Sequence, residues 1–201
     1  MYKRQQQQDY VLFSEELKKY YPQIYNELSE ILSHHNVRHG VLKGTADYWC
    51  RDYMPIQVDY DRFVQFRYHP DYLKGYRDYE TPTEVSLELA KKLTSASIET
   101  SPIIADGGNF TFASIKRGRG YTPVVVMTEK VFFENSEVAG ENLVYQLEKL
   151  FPKHKLLFLP WDRGDACGHT DGILHAVGPN KLLVNLKVYP DKIAARMREI
   201  L

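Results

Sequence analysis

Apolar positions recur along this chain with two periods, one helical and one extended. Leu17, Tyr20, Tyr21, Ile24, Leu28, Ile31 and Leu32 follow helical spacing. They predict a helix over 14–34, capped by Ser14, led by Glu15 and Glu16, and packing one face on a core. Pro22 falls inside that span and predicts a kink or a later start. Further helices are predicted after Thr81, over 136–150 and over 191–201. The first has Thr81 as cap, Pro82 at its first position and Val85, Leu89 and Leu93 inward; Asn135 or Ser136 caps the second. Short extended runs are predicted over 37–42, 56–58, 62–68, 101–105, 110–112, 123–127, 156–159, 173–177 and 182–186. The run over 173–177 reads as a buried strand.

The order strand, strand, helix, strand thus recurs after Asp52, after Asp106 and after Asp171. This is a repeat of supersecondary units and not of literal sequence. With 201 residues and no Pro/Gly/Ser linker, one α/β domain over 11–201 is expected, behind a frayed, glutamine-rich tail over 1–10. Lysine plus arginine equals aspartate plus glutamate, 26 against 26, so no global field draws the chain to nucleic acid or to an anionic membrane. The ligand expected is therefore a small molecule, and oligomeric state is not legible. Apolar runs are too short to span a bilayer, and the polar start lacks the apolar region of a signal peptide. Two cysteines, Cys50 and Cys167, make no disulfide framework, and a cytoplasmic protein is expected.

Candidate chemistry gathers in three clusters. The first runs over 47–55, where Trp49 offers a flat apolar wall and Asp52 precedes Pro55 in a segment unsuited to a helix interior. Alone, it reads equally well as a surface pair of Arg51 and Asp52 beside a packed tryptophan. Asp106-Gly107-Gly108-Asn109 ends a strand, and its paired glycines suit either a sharp hairpin turn or a close backbone approach. In the third, Gly168 and Gly172 bracket His169-Thr170-Asp171, and extended backbone would put the histidine and the carboxylate on one face. A turn with a packed histidine is the plainer reading of that motif, and Asp165 with the two glycines favours a site. His34, His35 and His39 flank a helix end without a matching ligand set, so solvated side chains are expected there. The basic stretch over 116–120 reads as a solvated loop tip.

In that order, the motifs over 49–55, 106–109 and 168–172 resemble the agmatine deiminase and Porphyromonas-type peptidylarginine deiminase family of guanidine-modifying enzymes. The similarity covers nearly everything after the glutamine run. It implies an α/β-propeller of five ββαβ blades around a central polar site, about three of which this chain would supply. By the same resemblance Asp52 and Asp171 grip the substrate guanidinium, with Trp49 beside them. His169 is the general acid/base, Asp106 orients it, and no cofactor is expected.

Those roles are chemically coherent. A guanidinium is a planar, permanently charged fork that two carboxylates can hold bidentately. Deimination then needs a nucleophile at the central carbon and a proton for departing ammonia, and a histidine kept cationic by neighbouring carboxylates can supply the proton. The family's nucleophile is a cysteine in a glycine-rich stretch beyond the fifth blade, and Cys50 and Cys167 do not match it. Both are expected to act as buried small hydrophobes, and the 201 residues alone are expected to lack the covalent chemistry. Two other classes fit the same residues: a guanidinium-binding fragment without turnover, and a hydrolase whose metal is held by His169 and the carboxylates.

Overall fold

The computed structural model describes residues 10–185 and 189–201. Most of the expected tail lies outside that range, while Tyr10, placed in the tail by the sequence, opens a strand. Four sheets follow one another along the chain. The first pairs β1 (Tyr10–Ser14) in parallel with β2 (Arg38–Leu42), crossing over through α1 (Glu15–Tyr20) and α2 (Pro22–His34). The second joins β3 (Ile56–Asp59) and β4 (Arg62–Arg67) as a hairpin, and β5 (Ser97–Ile104) returns parallel to β4 after α4 (Thr83–Leu93). The short helix α3 (Cys50–Tyr53) leads into this unit.

The third sheet repeats the plan. Strand β6 (Thr111–Arg117) pairs antiparallel with β7 (Gly120–Thr128). Then α5 (Lys130–Glu134) and α6 (Gly140–Leu150) lead to β8 (Lys155–Leu159), which runs parallel to β7. The fourth pairs β9 (Leu174–Gly178) with β10 (Lys181–Val184), and α7 (Asp191–Ile200) follows. Two complete ββαβ units are thus flanked by two two-stranded sheets.

Strand β7 shows why the units stack. Val125 and Met127 face a core made with Val64, Phe66, Phe110, Leu143, Leu147 and Phe151. Val124 and Val126, on the alternate face, pack with Leu159, Ile173, Leu174 and Met197. A strand buried on both faces needs a continuous apolar run, which is what 123–127 displays. Phe110, fully buried, stacks on Phe66 with ring centroids 4.8 Å apart and lies 5.6 Å from Phe151. That cluster pins the residue that follows Asn109, and so fixes the end of the glycine motif.

Several local expectations are corrected. The helix expected over 14–34 is two helices, because Pro22 starts α2 and Tyr21 between them is not helical. Neither has a buried residue, so the helical period marks a half-covered surface rather than a core face. Ser14 does cap α1, its hydroxyl accepting from Glu16 N–H at 3.0 Å. Pro82, not Thr81, occupies the cap position of α4; Thr81 instead accepts from Ala46 N–H at 3.0 Å. That helix buries Ser86 and Ala90, while Leu93 is exposed. Asn135 and Ser136 do not cap α6, whose first turn follows Ala139. In β9 only Leu174 is buried, and Val177 is exposed. Strand β10 ends at Val184, and the rest of its expected span reaches residue 186, outside the described residues. His34 and His35 are exposed at the end of α2, and the basic stretch over 116–120 forms the β6–β7 tip, turning at Gly118 with φ +58°. Among the described residues no helix is long and apolar enough to cross a membrane.

Candidate active site

The three clusters meet at the ends of three successive units. Asp52 sits in the single turn of α3, a four-residue helix too short to have an interior. Its Oδ1 accepts from Gly108 N–H at 2.9 Å, which bonds the first cluster to the second. The paired glycines are required by closeness. A Cβ on Gly107 would fall on the Arg51 carbonyl, and one on Gly108 would meet the His169 ring and lie 2.8 Å from Asp52 Oδ1. Residues 107–109 form a 3-10 turn rather than a hairpin. Arg51 turns away, donating to Phe110 O at 2.7 Å.

His169 stands between two carboxylates. Its Nε2 lies 3.0 Å from Asp106 Oδ2, and its Nδ1 lies 3.8 Å from Asp52 Oδ1, too far for a hydrogen bond but close enough for strong attraction. Tyr72 donates its hydroxyl to the same Asp106 oxygen at 2.8 Å, while Asp106 Oδ1 is buried without a hydrogen-bond partner among the described residues. The 3-10 turn Thr170–Gly172 carries Asp171, so the extended arrangement expected of His169 and Asp171 is replaced by a turn. Thr170, fully buried, bonds Thr111 Oγ1 at 3.0 Å and locks this turn to β6.

A cavity of about 470 Å³ opens over these groups, lined by Asp47, Trp49, Asp52, Tyr72, His169 and Asp171 among others. Trp49, 58% exposed, forms part of the wall. Asp47 is half-buried, and Tyr53 holds its backbone carbonyl with a 3.0 Å hydrogen bond.

Burial pushes the Asp52 carboxyl up to about 6; Asp106 and Asp171 add to the rise, and His169 and the Gly108 N–H oppose it. Burial alone would lower His169. The Asp106 hydrogen bond and the charges of Asp52, Asp106 and Asp171 outweigh it, and the imidazole titrates above its ordinary range. Asp106 thus makes the histidine's hydrogen bond, while Asp171, expected beside it on extended backbone, acts on it through its charge.

Neither thiol is the inert core residue expected. Cys167 is exposed, and Cys50, half-buried, accepts from Tyr53 Oη at 3.2 Å. Although Cys167 faces solvent, desolvation by the surrounding chain, followed by the charges of Asp165, Asp52 and Asp106, pushes its thiol up to about 11, and burial raises Cys50. Both thiols are therefore held protonated at neutral pH. Tyr72 and the Gly108 N–H were not picked out by sequence reasoning. Tyr72 lies in a tyrosine-rich stretch that offers no signal for one tyrosine over another. Among the described residues no three histidine, cysteine or acidic side chains are arranged to hold a metal ion.

Comparison with known proteins bears on the fold and the family. A solved agmatine deiminase from C. jejuni superposes with a TM-score of 0.67 at 18% identity, covering 96% of this chain and 67% of that one. An agmatine deiminase of Enterococcus faecalis gives 0.64 at 14% identity, covering 96% and 63%. At such identities the likeness establishes the α/β fold, and this chain spans about two thirds of the length of those structures. A search of curated protein sequences finds no match. The profile of the Porphyromonas-type peptidyl-arginine deiminase family, by contrast, matches residues 5–201, and the chain belongs to that family.

Proposed function

We propose that these residues form the substrate-holding and proton-donating part of a deiminase-type hydrolase for a small guanidino compound. The observation that carries this reading is the imbalance of charge at the cavity. Asp47, Asp52 and Asp171 line it together with His169, which stands between Asp52 and the buried Asp106, and Arg51, also on the lining, has its guanidinium engaged by Phe110 O. A buried carboxylate raised to about 6 lacks a full counter-charge, and a bound guanidinium would supply one. Asp52 and Asp171 then grip the N–H groups against the wall of Trp49. Agmatine is favoured over arginine because Asp47, a further carboxylate on the same cavity, suits a second positive charge at the far end of the ligand.

His169, kept cationic by Asp106, donates the proton that lets ammonia leave after a thiolate adds to the guanidinium carbon. Water then displaces the thiol and yields the ureido product. The two thiols present are protonated and poorly suited to the first step, so we assign the nucleophile to a segment outside these 201 residues. On the same reading the two complete ββαβ units and the two flanking sheets are parts of a five-bladed α/β-propeller, of which this chain supplies about three blades.

Calorimetric titration with agmatine in EDTA, followed by a colorimetric ureido assay, tests the reading. Binding that survives EDTA, without product, is expected. Loss of binding in EDTA would favour a metal-dependent hydrolase, and absence of binding in any buffer would overturn the guanidinium assignment.

A further inference from the structure

Lys130 is 1% exposed, and a buried ammonium that takes no direct part in the site needs an account. It opens α5, immediately after the end of β7, and bonds Asp71; Glu134 Oε1 lies 3.1 Å away. The ammonium also lies 5.4 Å from the Tyr72 ring centre and 5.0 Å from that of Trp161. Asp71 and Tyr72 belong to one 3-10 turn, Asp71–Leu73, none of whose residues is fully buried. The turn is held by Lys130 and by Glu134, whose Oε1 accepts from Asp71 N–H at 3.4 Å, on one side, and by the Tyr72 hydroxyl bond to Asp106 on the other.

The same lysine supports the histidine. Its side-chain stem runs directly under Gly168, where an added Cβ would come within 2.8 Å of Lys130 Cδ, and Gly168 has φ +59°. Thr128, two residues earlier, donates its hydroxyl to Gly168 O at 2.5 Å and its N–H to Asn109 Oδ1 at 2.8 Å. The chain from Thr128 to Lys130 therefore touches the turn before His169, the end of the glycine motif, and the turn that carries Tyr72.

We propose that Lys130 is a positioning residue for the His169–Asp106 pair, seating Tyr72 on Asp106 through Asp71 and bracing the Gly168 turn with its stem. The proposal deepens the deiminase reading by naming what holds its proton donor. Its test does not depend on substrate or turnover, so it can fail while guanidinium binding stands, and the reverse.

The probe is the His169 imidazole, followed by NMR through a pH titration of the 201-residue protein. Tyr72→Phe removes one of the donors to Asp106 Oδ2, leaving that oxygen a stronger acceptor for the imidazolium, so the His169 titration moves up. Asp71→Asn separates the relay from plain electrostatics. Removing a negative charge, by Coulomb interaction alone, would move His169 down, whereas releasing Tyr72 from Asp106 moves it up. The expected result is an upward shift in Asp71→Asn in the same sense as in Tyr72→Phe, with the double variant shifting no further than Tyr72→Phe. Lys130→Met should follow Asp71→Asn; if that variant does not fold, Asp71→Asn decides alone. A downward or null shift in folded Asp71→Asn, or additive shifts in the double variant, would overturn the proposal.

Discussion

At Asp52, burial moves the carboxyl from 3.8 to about 6, so the side chain acquires its charge over the range where many proteins are handled. Its raised value means that folding favours the protonated form, and the stability this contributes is present at low pH and lost as pH rises through about 6. His169, also raised, contributes stability that is full below its ordinary 6.5 and lost as pH rises through its folded value. Guanidinium binding has the opposite dependence, because the ligand needs the ionised carboxylate. Affinity for agmatine should fall as pH drops below about 6, and binding near that pH should release protons. Calorimetry in two buffers of different ionisation heat measures both; affinity independent of pH between about 5 and 7.5 would remove Asp52 from the grip. Cys167 is decided at the same scale. With its thiol pushed up to about 11, the 201-residue protein should form no ureido product from agmatine. Turnover that Cys167→Ser abolishes would show the nucleophile to be here.

Among the elements, β7 was readable because an apolar run buried on both faces has one simple explanation, whereas the start of the helix expected over 136–150, which begins at Gly140, was not. Asn135 looked like a cap for it. In the structure its Oδ1 accepts from Ile104 N–H at 2.9 Å while its Nδ2 donates to Ile104 O and Val131 O, each at 2.8 Å. It therefore ties the end of β5 to α5, just before Asp106. No local pattern announces a tie between residues 31 positions apart. Asn135→Ala should cost roughly 2 kcal/mol or more, since it strands a backbone N–H and carbonyl in the interior. Urea denaturation measures this, and a loss within ~0.5 kcal/mol would mean that water replaces the side chain there. The helical pattern over 14–34 misled for a related reason: period reports amphipathicity, and how deeply a face is covered depends on what the rest of the chain brings against it.

In the whole molecule, the motifs around Asp52, Asp106 and His169 were legible through their order along the chain, each alone allowing a plain structural reading. Gly107 and Gly108, read from sequence as either a hairpin turn or a close backbone approach, are where the Arg51 carbonyl, the Asp52 carboxylate and the His169 ring crowd the chain. What stayed hidden was the support. Tyr72, Thr128 and Lys130 are ordinary residues in sequence, and only the packing of neighbouring units brings them to the same few ångströms. The two-stranded sheet before the complete units was hidden likewise, since the parallel pairing of β1 with β2 across a crossover leaves no local signature.

The central claim is that Asp52 and Asp171 hold a guanidinium beside His169, and calorimetric titration of the 201-residue protein and its Asp171→Asn variant with agmatine tests it most directly. The amide keeps the shape but loses the charge and presents a donor where only an acceptor is useful. Loss of roughly 2 kcal/mol, about 30-fold in Kd, is the result this account predicts for a charge-assisted pair. Equal affinity in the wild-type protein and a folded Asp171→Asn variant would contradict it.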